Sequence, residues 1–337
     1  MIKIGAKVFN TKVFLAPLSG CSDLSFRLIC REHGAQMAFF EMLSSDALIR
    51  DSAKTFGMLK SATADAPIAG QLLGSVPEIM LEAALIMEER ASVEFIDVNA
   101  ACPVRKVVVN GSGAALFNTP EKLFAIIKIL ARKSGLPVTV KLRTGFDEPD
   151  IKKLVEIARG CEDAGVSAIF LHGRTRAQLY SGGVDYDAIK KVKENVNVPV
   201  FGSGDILSPA LAKKMLDDTG CDGIIVARGA MGNPWLFKDI NDFLKDGFCQ
   251  PSRDKKYRLD VLKKHISYIK KYSELPPRTP RRIPGASETH SVKSSIGLMR
   301  KAALWYLKGF ALAASARGKV TSAQNYEELL KILDKLV

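Results

Sequence analysis

Between residues 13 and 227 the chain alternates short apolar, β-type runs with longer stretches of helical period, eight times over. The runs fall at residues 13–16, 37–40, 68–73, 95–99, 138–142, 168–172, 199–202 and 223–227. Helical spacing predicts helices at 26–33, 77–90, 120–133, 151–164, 186–193 and 209–216 between them. Runs apolar on both faces are what a parallel strand covered by helices requires. Eight of them, with no repeat at solenoid periods, predict an α/β fold of the closed (β/α)8 TIM-barrel type; an open doubly wound sheet is the alternative.

A barrel predicts in turn that polar groups acting on a ligand collect at the C-terminal ends of its strands. Ser19, Glu41, Gln71, Asn99 with Cys102, Lys141 with Arg143, His172 with Arg174, Ser203 to Asp205, and Arg228 all fall at or just past a predicted strand end. Any one of them can simply satisfy a loop. Their common placement is the signal.

The composition changes at 243–253, where Gly247, Pro251 and Ser252 mark a linker between a barrel, residues 1–246, and a small C-terminal helical domain, residues 247–337. Helical spacing recurs at 255–272, 291–310 and 325–336, with a Pro-rich basic loop at 276–285. The charge is divided unevenly: of a net +13, residues 251–337 hold 19 Lys and Arg against 7 Asp and Glu, a net +12. A solvated surface accounts for such a block, and so, more specifically, does an electrostatic footprint for nucleic acid. The cations oppose no strong apolar stripe and no apolar span is long enough for a membrane helix, so membrane association is disfavoured. Residues 1–10 alternate Lys with apolar residues and lack a secretory apolar core, which predicts a cytoplasmic protein. The six cysteines, at 21, 30, 102, 161, 221 and 249, form no Cys-x-x-Cys pair, so neither a zinc site nor a disulfide framework is expected. No feature calls for an obligate protein partner.

The stretch Phe95-Ile96-Asp97-Val98-Asn99-Ala100-Ala101-Cys102-Pro103 ends an apolar strand in an Asn, a Cys and a Pro that stops regular pairing. A Cys is often an inert small apolar group, but Cys102 sits in a polar loop with Arg105 and Lys106 close behind, where a thiol can meet a ligand. The late loops Gly202-Ser203-Gly204-Asp205 and Ala227-Arg228-Gly229-Ala230 follow strands seven and eight, where barrels commonly bind phosphate. Lys141 ends a buried strand, where an ammonium needs a partner: a Schiff-base lysine, a phosphate clamp and a cation beside a negative cofactor ring all fit. His172 fits a general acid or base, an anion contact or a satisfied core histidine. There are no paired carboxylates and no metal-spaced clusters, so metal-dependent or two-carboxylate hydrolysis is disfavoured.

Taken together, Ala16-Pro17-Leu18-Ser19-Gly20 with Asp23, Glu41-Met42, Gln71-Leu72-Leu73-Gly74-Ser75, Asp97-Val98-Asn99 with Cys102-Pro103, Lys141-Leu142-Arg143-Thr144-Gly145, His172-Gly173-Arg174-Thr175-Arg176, Gly204-Asp205-Ile206 and Gly232-Asn233-Pro234-Trp235 occur in an order and spacing that resembles the tRNA-dihydrouridine synthases, most closely their bacterial B-type branch. The tail fits as well, through Met299-Arg300-Lys301 and Trp305-Tyr306-Leu307-Lys308-Gly309. The resemblance implies an FMN-bound barrel that reduces the 5,6 double bond of particular uridines in tRNA, with NADPH, or NADH, as electron donor. It implies that Pro17, Leu18 and Ser19 line the flavin, that Gln71, Lys141 and His172 contact it, and that Ser203, Gly204, Asp205, Ala227 and Arg228 hold its phosphate end. It makes Cys102 the proton donor and places Asn99, Arg143, Arg174, Arg300 and Lys301 with the tRNA. Ala101 stands where the family has Gly, and shifts the loop if a positive φ is needed there. Ser203 and Ala227 replace the family's Asn and Gly.

A flavin enzyme of a free pyrimidine, similar to dihydroorotate dehydrogenase, would share the barrel and the loop Cys but has no use for the basic tail. A tRNA-binding barrel without catalysis leaves Cys102 and Lys141 idle, and a Schiff-base lyase leaves Gln71, Asn99 and Cys102 without roles.

Overall fold

The computed structural model describes residues 1–273, 291–310 and 313–336. Eight parallel strands form the barrel: β1 (Val13–Leu15), β2 (Met37–Phe39), β3 (Ile68–Leu73), β4 (Ile96–Asn99), β5 (Val138–Arg143), β6 (Ala168–His172), β7 (Val200–Ser203) and β8 (Gly223–Val226). Each pairs with the next, β8 pairs with β1, and the β2–β3 pairing completes the ring, so the sheet is closed rather than open. The helices α1 (Leu24–Glu32), α2 (Pro77–Arg90), α3 (Pro120–Lys133), α4 (Ile151–Ala164), α5 (Tyr186–Lys193), α6 (Pro209–Thr219) and α7 (Leu236–Asp246) surround it. Several begin as their sequences dictate. Asp23, Asp150, Asp185 and Ser208 cap α1, α4, α5 and α6 by accepting backbone N–H bonds, and Pro opens α2, α3 and α6.

Strand periodicity decides what points inwards. Val138, Val140 and Leu142 of β5 pack outwards against the helices, so Thr139, Lys141 and Arg143 point into the barrel. The same alternation turns Asp97 and Asn99, Gln71, His172 and Ser203 inwards. Deeper in, the barrel is filled by Phe14, Phe39, Phe95, Phe170 and Phe201, with Phe14 and Phe201 ring centroids 4.6 Å apart. A hairpin of Ile2–Ile4 and Lys7–Phe9 plugs the N-terminal end with Ile2, Ile4 and Phe9. Aromatic packing therefore closes one end and leaves the polar residues at the other.

The helices α8 (Lys255–Ser273), α9 (Ser291–Tyr306), α10 (Ala313–Ser322) and α11 (Tyr326–Asp334) follow. The expected linker opens inside a helix, because α7 continues through residue 243 and ends only at Gly247, with φ 75°. The expected basic loop at 276–285 lies outside the described residues. Leu259, Leu262, Ile266, Met299, Ala303 and Tyr306 join the same apolar core as Phe26 and Ile29 of α1. Gly232 has φ +72°, and a Cβ there would run into the Trp305 carbonyl, so the loop after β8 and α9 meet backbone to backbone. Among the described residues no helix is long and apolar enough to cross a membrane.

Candidate active site

The C-terminal ends of the strands surround a cavity of about 590 Å³, within the range that holds small-molecule ligands and cofactors. Pro17, Leu18 and Ser19 form one wall, on a loop tied down by Ser22, whose hydroxyl accepts from the Leu18 N–H at 2.9 Å. The Gly20 N–H donates to the Glu41 carboxylate, and Lys301 of α9 donates to the Gly20 carbonyl. Lys301 thus braces the cavity wall from the helical segment without lining the cavity.

Gln71, Asn99, Lys141, Arg143 and His172 form the polar floor and far wall. Two of their tips are orphaned: Lys141 Nζ and His172 Nε2 are buried with no hydrogen-bond partner among the described residues. Burial pulls Lys141 down to about 8, with Asp97 opposing the shift and Arg143 reinforcing it. Burial and the positive charges of Arg143, Lys141, Arg174 and Arg228 drive His172 down to about 2, so it stays neutral. A buried polar atom without a partner is costly. Two of them facing one cavity, beside Arg143 and Arg228, fit a ligand that is electron-rich or anionic there.

Cys102 sits at the mouth. Asn99 Oδ1 accepts from the backbone N–H groups of Ala101 and Cys102, at 3.1 and 2.8 Å, and Arg143 Nε donates to the Ala101 carbonyl at 2.8 Å. Ala101 is not among the residues with positive φ, so this loop takes its shape without Gly at 101. Behind it, Ala114 donates to the Cys102 carbonyl at 3.0 Å, and Gly113, at φ +61°, leaves no room for a Cβ, which would lie 2.8 Å from that oxygen. Burial pushes the Cys102 thiol up, while a backbone contact from Val104 and the charge of Arg143 pull it back. The thiol is therefore protonated at neutral pH.

Ser203, Gly204, Asp205, Ala227 and Arg228 form the opposite end of the cavity. Arg228 Nη2 donates to Asp205 at 2.7 Å, and its guanidinium lies 4.2 Å from the centroid of the Tyr180 ring. The Asp205 carboxylate holds cations, Arg174 and Arg228, so it orients Arg228 rather than facing an anion itself.

Arg174, Arg300 and Lys301 lie outside the cavity lining. Arg174 is buried and donates to Asp205 and to the carbonyls of Ser181 and Gly182. Arg300 donates to the Ala323 carbonyl, joining α9 to the turn before α11. Asn99 does line the cavity, but its amide is engaged on every side: Nδ2 donates to Gln71 Oε1 at 2.8 Å and to Met42 Sδ at 3.1 Å. Sequence reasoning missed Asp97 as part of the site. An acid inside an apolar strand was the available signal, since a buried carboxylate must be hydrogen-bonded. Tyr180 was missed because an exposed loop tyrosine carries no period.

The family model described as "Dihydrouridine synthase (Dus)" matches residues 14–336. A probable tRNA-dihydrouridine synthase of Rickettsia conorii is 36% identical over 323 residues, covering 95% of this chain and 91% of that protein. The tRNA-dihydrouridine synthase B of Vibrio cholerae is 33% identical over 335 residues, with 99% and 98% covered. That of Pseudomonas aeruginosa is 34% identical over 298 residues, with 86% and 89% covered. Among solved structures, histamine dehydrogenase from Rhizobium sp. 4-9 superposes with a TM-score of 0.58 at 12% identity, over 79% of this chain and 50% of that one. The chain thus spans about half of that longer protein. An old yellow enzyme homologue from Zymomonas mobilis superposes with a TM-score of 0.53 at 13% identity, over 76% of this chain and 94% of that one. At such identities the likeness is one of fold.

Proposed function

The chain belongs to the dihydrouridine synthase family, and from that membership we propose that it is a flavin-dependent tRNA-dihydrouridine synthase, reducing the 5,6 double bond of uridines in tRNA. The barrel, residues 1–246, carries the reaction and the basic segment, residues 247–337, holds the tRNA. The observation that carries the reading is the pairing of orphaned Lys141 Nζ and His172 Nε2 with a protonated thiol, Cys102, around one cavity.

The residues present suit FMN. Pro17, Leu18 and Ser19 would flank it, Gln71, Lys141 and His172 would meet its polar edge, and Ser203, Gly204, Ala227 and Arg228 would hold the phosphate, with Asp205 steering Arg228. When bound, the flavin supplies the hydride that adds to C6 of the uracil ring, with NADPH, or NADH, as the source of electrons.

The chain's own work is proton delivery, charge and access. Cys102 delivers its proton to C5, so that hydride and proton together saturate the double bond, and the thiolate left behind faces the Arg143 charge until it takes a proton from water. Lys141 supplies positive charge where negative charge gathers on the reacting partners. Asn99 shapes the Cys102 loop rather than gripping the base, since its amide is already committed. Exposed Val104, Leu179, Tyr180 and Leu207 form an apolar lip at the mouth, suited to the face of an unstacked base. The +12 charge of residues 251–337 compensates the cost of extruding that base through phosphate contacts.

Incubation of the protein, FMN and NADPH with tRNA from cells lacking dihydrouridine tests the reading by mass spectrometry. The expected result is a gain of two hydrogens at defined uridines. A flavin-loaded protein that changes no uridine in the whole tRNA pool refutes it.

A further inference from the structure

Asp97 does not line the cavity, yet it sits one layer beneath it, 1% exposed, at the start of an unbroken chain of hydrogen bonds that ends at the Cys102 loop. Its Oδ1 accepts from Thr139 Oγ1 at 2.7 Å and its Oδ2 from Gln71 Nε2 at 2.6 Å. Gln71 Oε1 then accepts from Asn99 Nδ2 at 2.8 Å, and Asn99 Oδ1 accepts from the Ala101 and Cys102 N–H groups. The direction of this chain follows from its first member. A carboxylate only accepts, so Gln71 must present its NH2 to Asp97 and its oxygen to Asn99. Asn99 must then present its NH2 to Gln71 and keep its oxygen for the acid loop.

We propose that Asp97 is a positioning residue: it polarises the Gln71 and Asn99 amides so that the Cys102 loop is held in place, and it sustains the positive charge of Lys141 from below. The second half rests on strand register. Asp97 on β4 neighbours Thr139 on β5 and Asn99 neighbours Lys141, so carboxylate and ammonium occupy adjacent inward layers. Among the described residues, the charged and titratable groups facing Lys141 are Asp97 on β4, Arg143 on its own strand and His172 on β6, and of these Asp97 alone is acidic. The assignment takes its reaction from the reading above, but its physical content does not require that reading.

The test uses full-length protein without tRNA. Competitive acetylation of Lys141 and iodoacetamide alkylation of Cys102 are followed against pH by peptide mass spectrometry, in wild type, Asp97→Asn and Thr139→Val. Asp97→Asn keeps the shape but removes the charge and lets the amides invert. Its Lys141 profile is expected to move down by about one pH unit, which near a midpoint of 8 raises the reactive fraction at pH 7 about fivefold. Cys102 alkylation is expected to rise several-fold at every pH. Thr139→Val keeps the carboxylate and its bond to Gln71, so Cys102 should react as in wild type. Profiles in Asp97→Asn that superimpose on wild type overturn the proposal, and so does a Thr139→Val protein that behaves like Asp97→Asn, since packing alone would then explain both. Should Asp97→Asn not fold, wild type still decides. Its Lys141 reactivity should fall clearly less than tenfold between about pH 7 and 6, where Asp97 begins to take up its proton, and a fall of about tenfold there, as for an amine that titrates alone, overturns the proposal. Failure of the wild type to reduce tRNA would sink the functional reading and leave these profiles untouched.

Discussion

Replacing Arg27 with Met should destabilise the protein and loosen the cavity wall together. Arg27 is fully buried on α1. Its Nε and Nη2 donate to the Asp65 carboxylate at 3.0 and 2.7 Å, its Nη1 to the Ser22 carbonyl at 2.6 Å and its Nη2 to the Lys60 carbonyl at 2.7 Å. Truncation leaves Asp65, also 0% exposed, without its main counter-ion. Removing one partner of a buried pair costs about 3 to 5 kcal/mol, and the loss should lie near about 3 kcal/mol because Arg31, at 3.9 Å, and Ser61 remain beside Asp65. The Ser22 carbonyl loses its donor too, and Ser22 holds the Leu18 N–H, so flavin affinity should fall with stability. Urea unfolding reads the first effect as a lower midpoint at unchanged slope, and flavin fluorescence titration reads the second. Adding Asp65→Leu should recover much of the stability, because a carboxylate no longer lies stranded. A loss below about 1 kcal/mol, or a double variant no better than the single, would refute the reasoning.

Cys102→Ala should leave flavin binding and its reduction by NADPH intact while slowing uridine reduction by about 10²-fold or more, the scale for a positioned acid; equal single-turnover rates on tRNA would remove Cys102 from the mechanism. Arg228→Ala should weaken flavin binding by about 10- to 100-fold and Arg228→Lys should restore only part of it, because a planar fork is replaced by a point charge; identical titrations for all three proteins would count against the phosphate assignment. Lys141 falls from an ordinary 10.5 to about 8 in the folded chain. Its contribution to stability is therefore present above pH 10.5 and is lost as pH falls through about 8. A ligand that pairs with the ammonium reverses this cost, so the rise in melting temperature on adding flavin should be largest near pH 7 and shrink above pH 8. A shift independent of pH would show that Lys141 does not meet the flavin.

Much of this arrangement was legible in the sequence for one reason: strands buried on both faces stand out as apolar runs. Ile68–Leu73 and Ala168–His172 fall where spacing placed them, and the polar residues at their ends meet in one cavity. The N-terminal hairpin was not legible, because Ile2-Lys3-Ile4 and Lys7-Val8-Phe9 are too short for alternation to separate them from loop. Helix α10, Ala313–Ser322, was missed for the opposite reason, since Ala, Ser and Gly give it no apolar stripe. Arg174 fell beside the cavity rather than in it, because position past a strand end does not say which way a long side chain turns. Asp97 was hidden by its neighbours. It lies inside an apolar run, and only the partners supplied by β3 and β5 reveal what a carboxylate does there.

The central claim is most directly tested anaerobically. The protein is loaded with flavin, reduced with NADPH, and mixed in a stopped-flow instrument with tRNA from cells lacking dihydrouridine. The account predicts that this tRNA reoxidises the flavin, whereas fully modified tRNA, free uracil and orotate do not. A reduced flavin that ignores tRNA and responds to a free pyrimidine would contradict the account, and a protein that binds no flavin would contradict the assignment of the cavity itself.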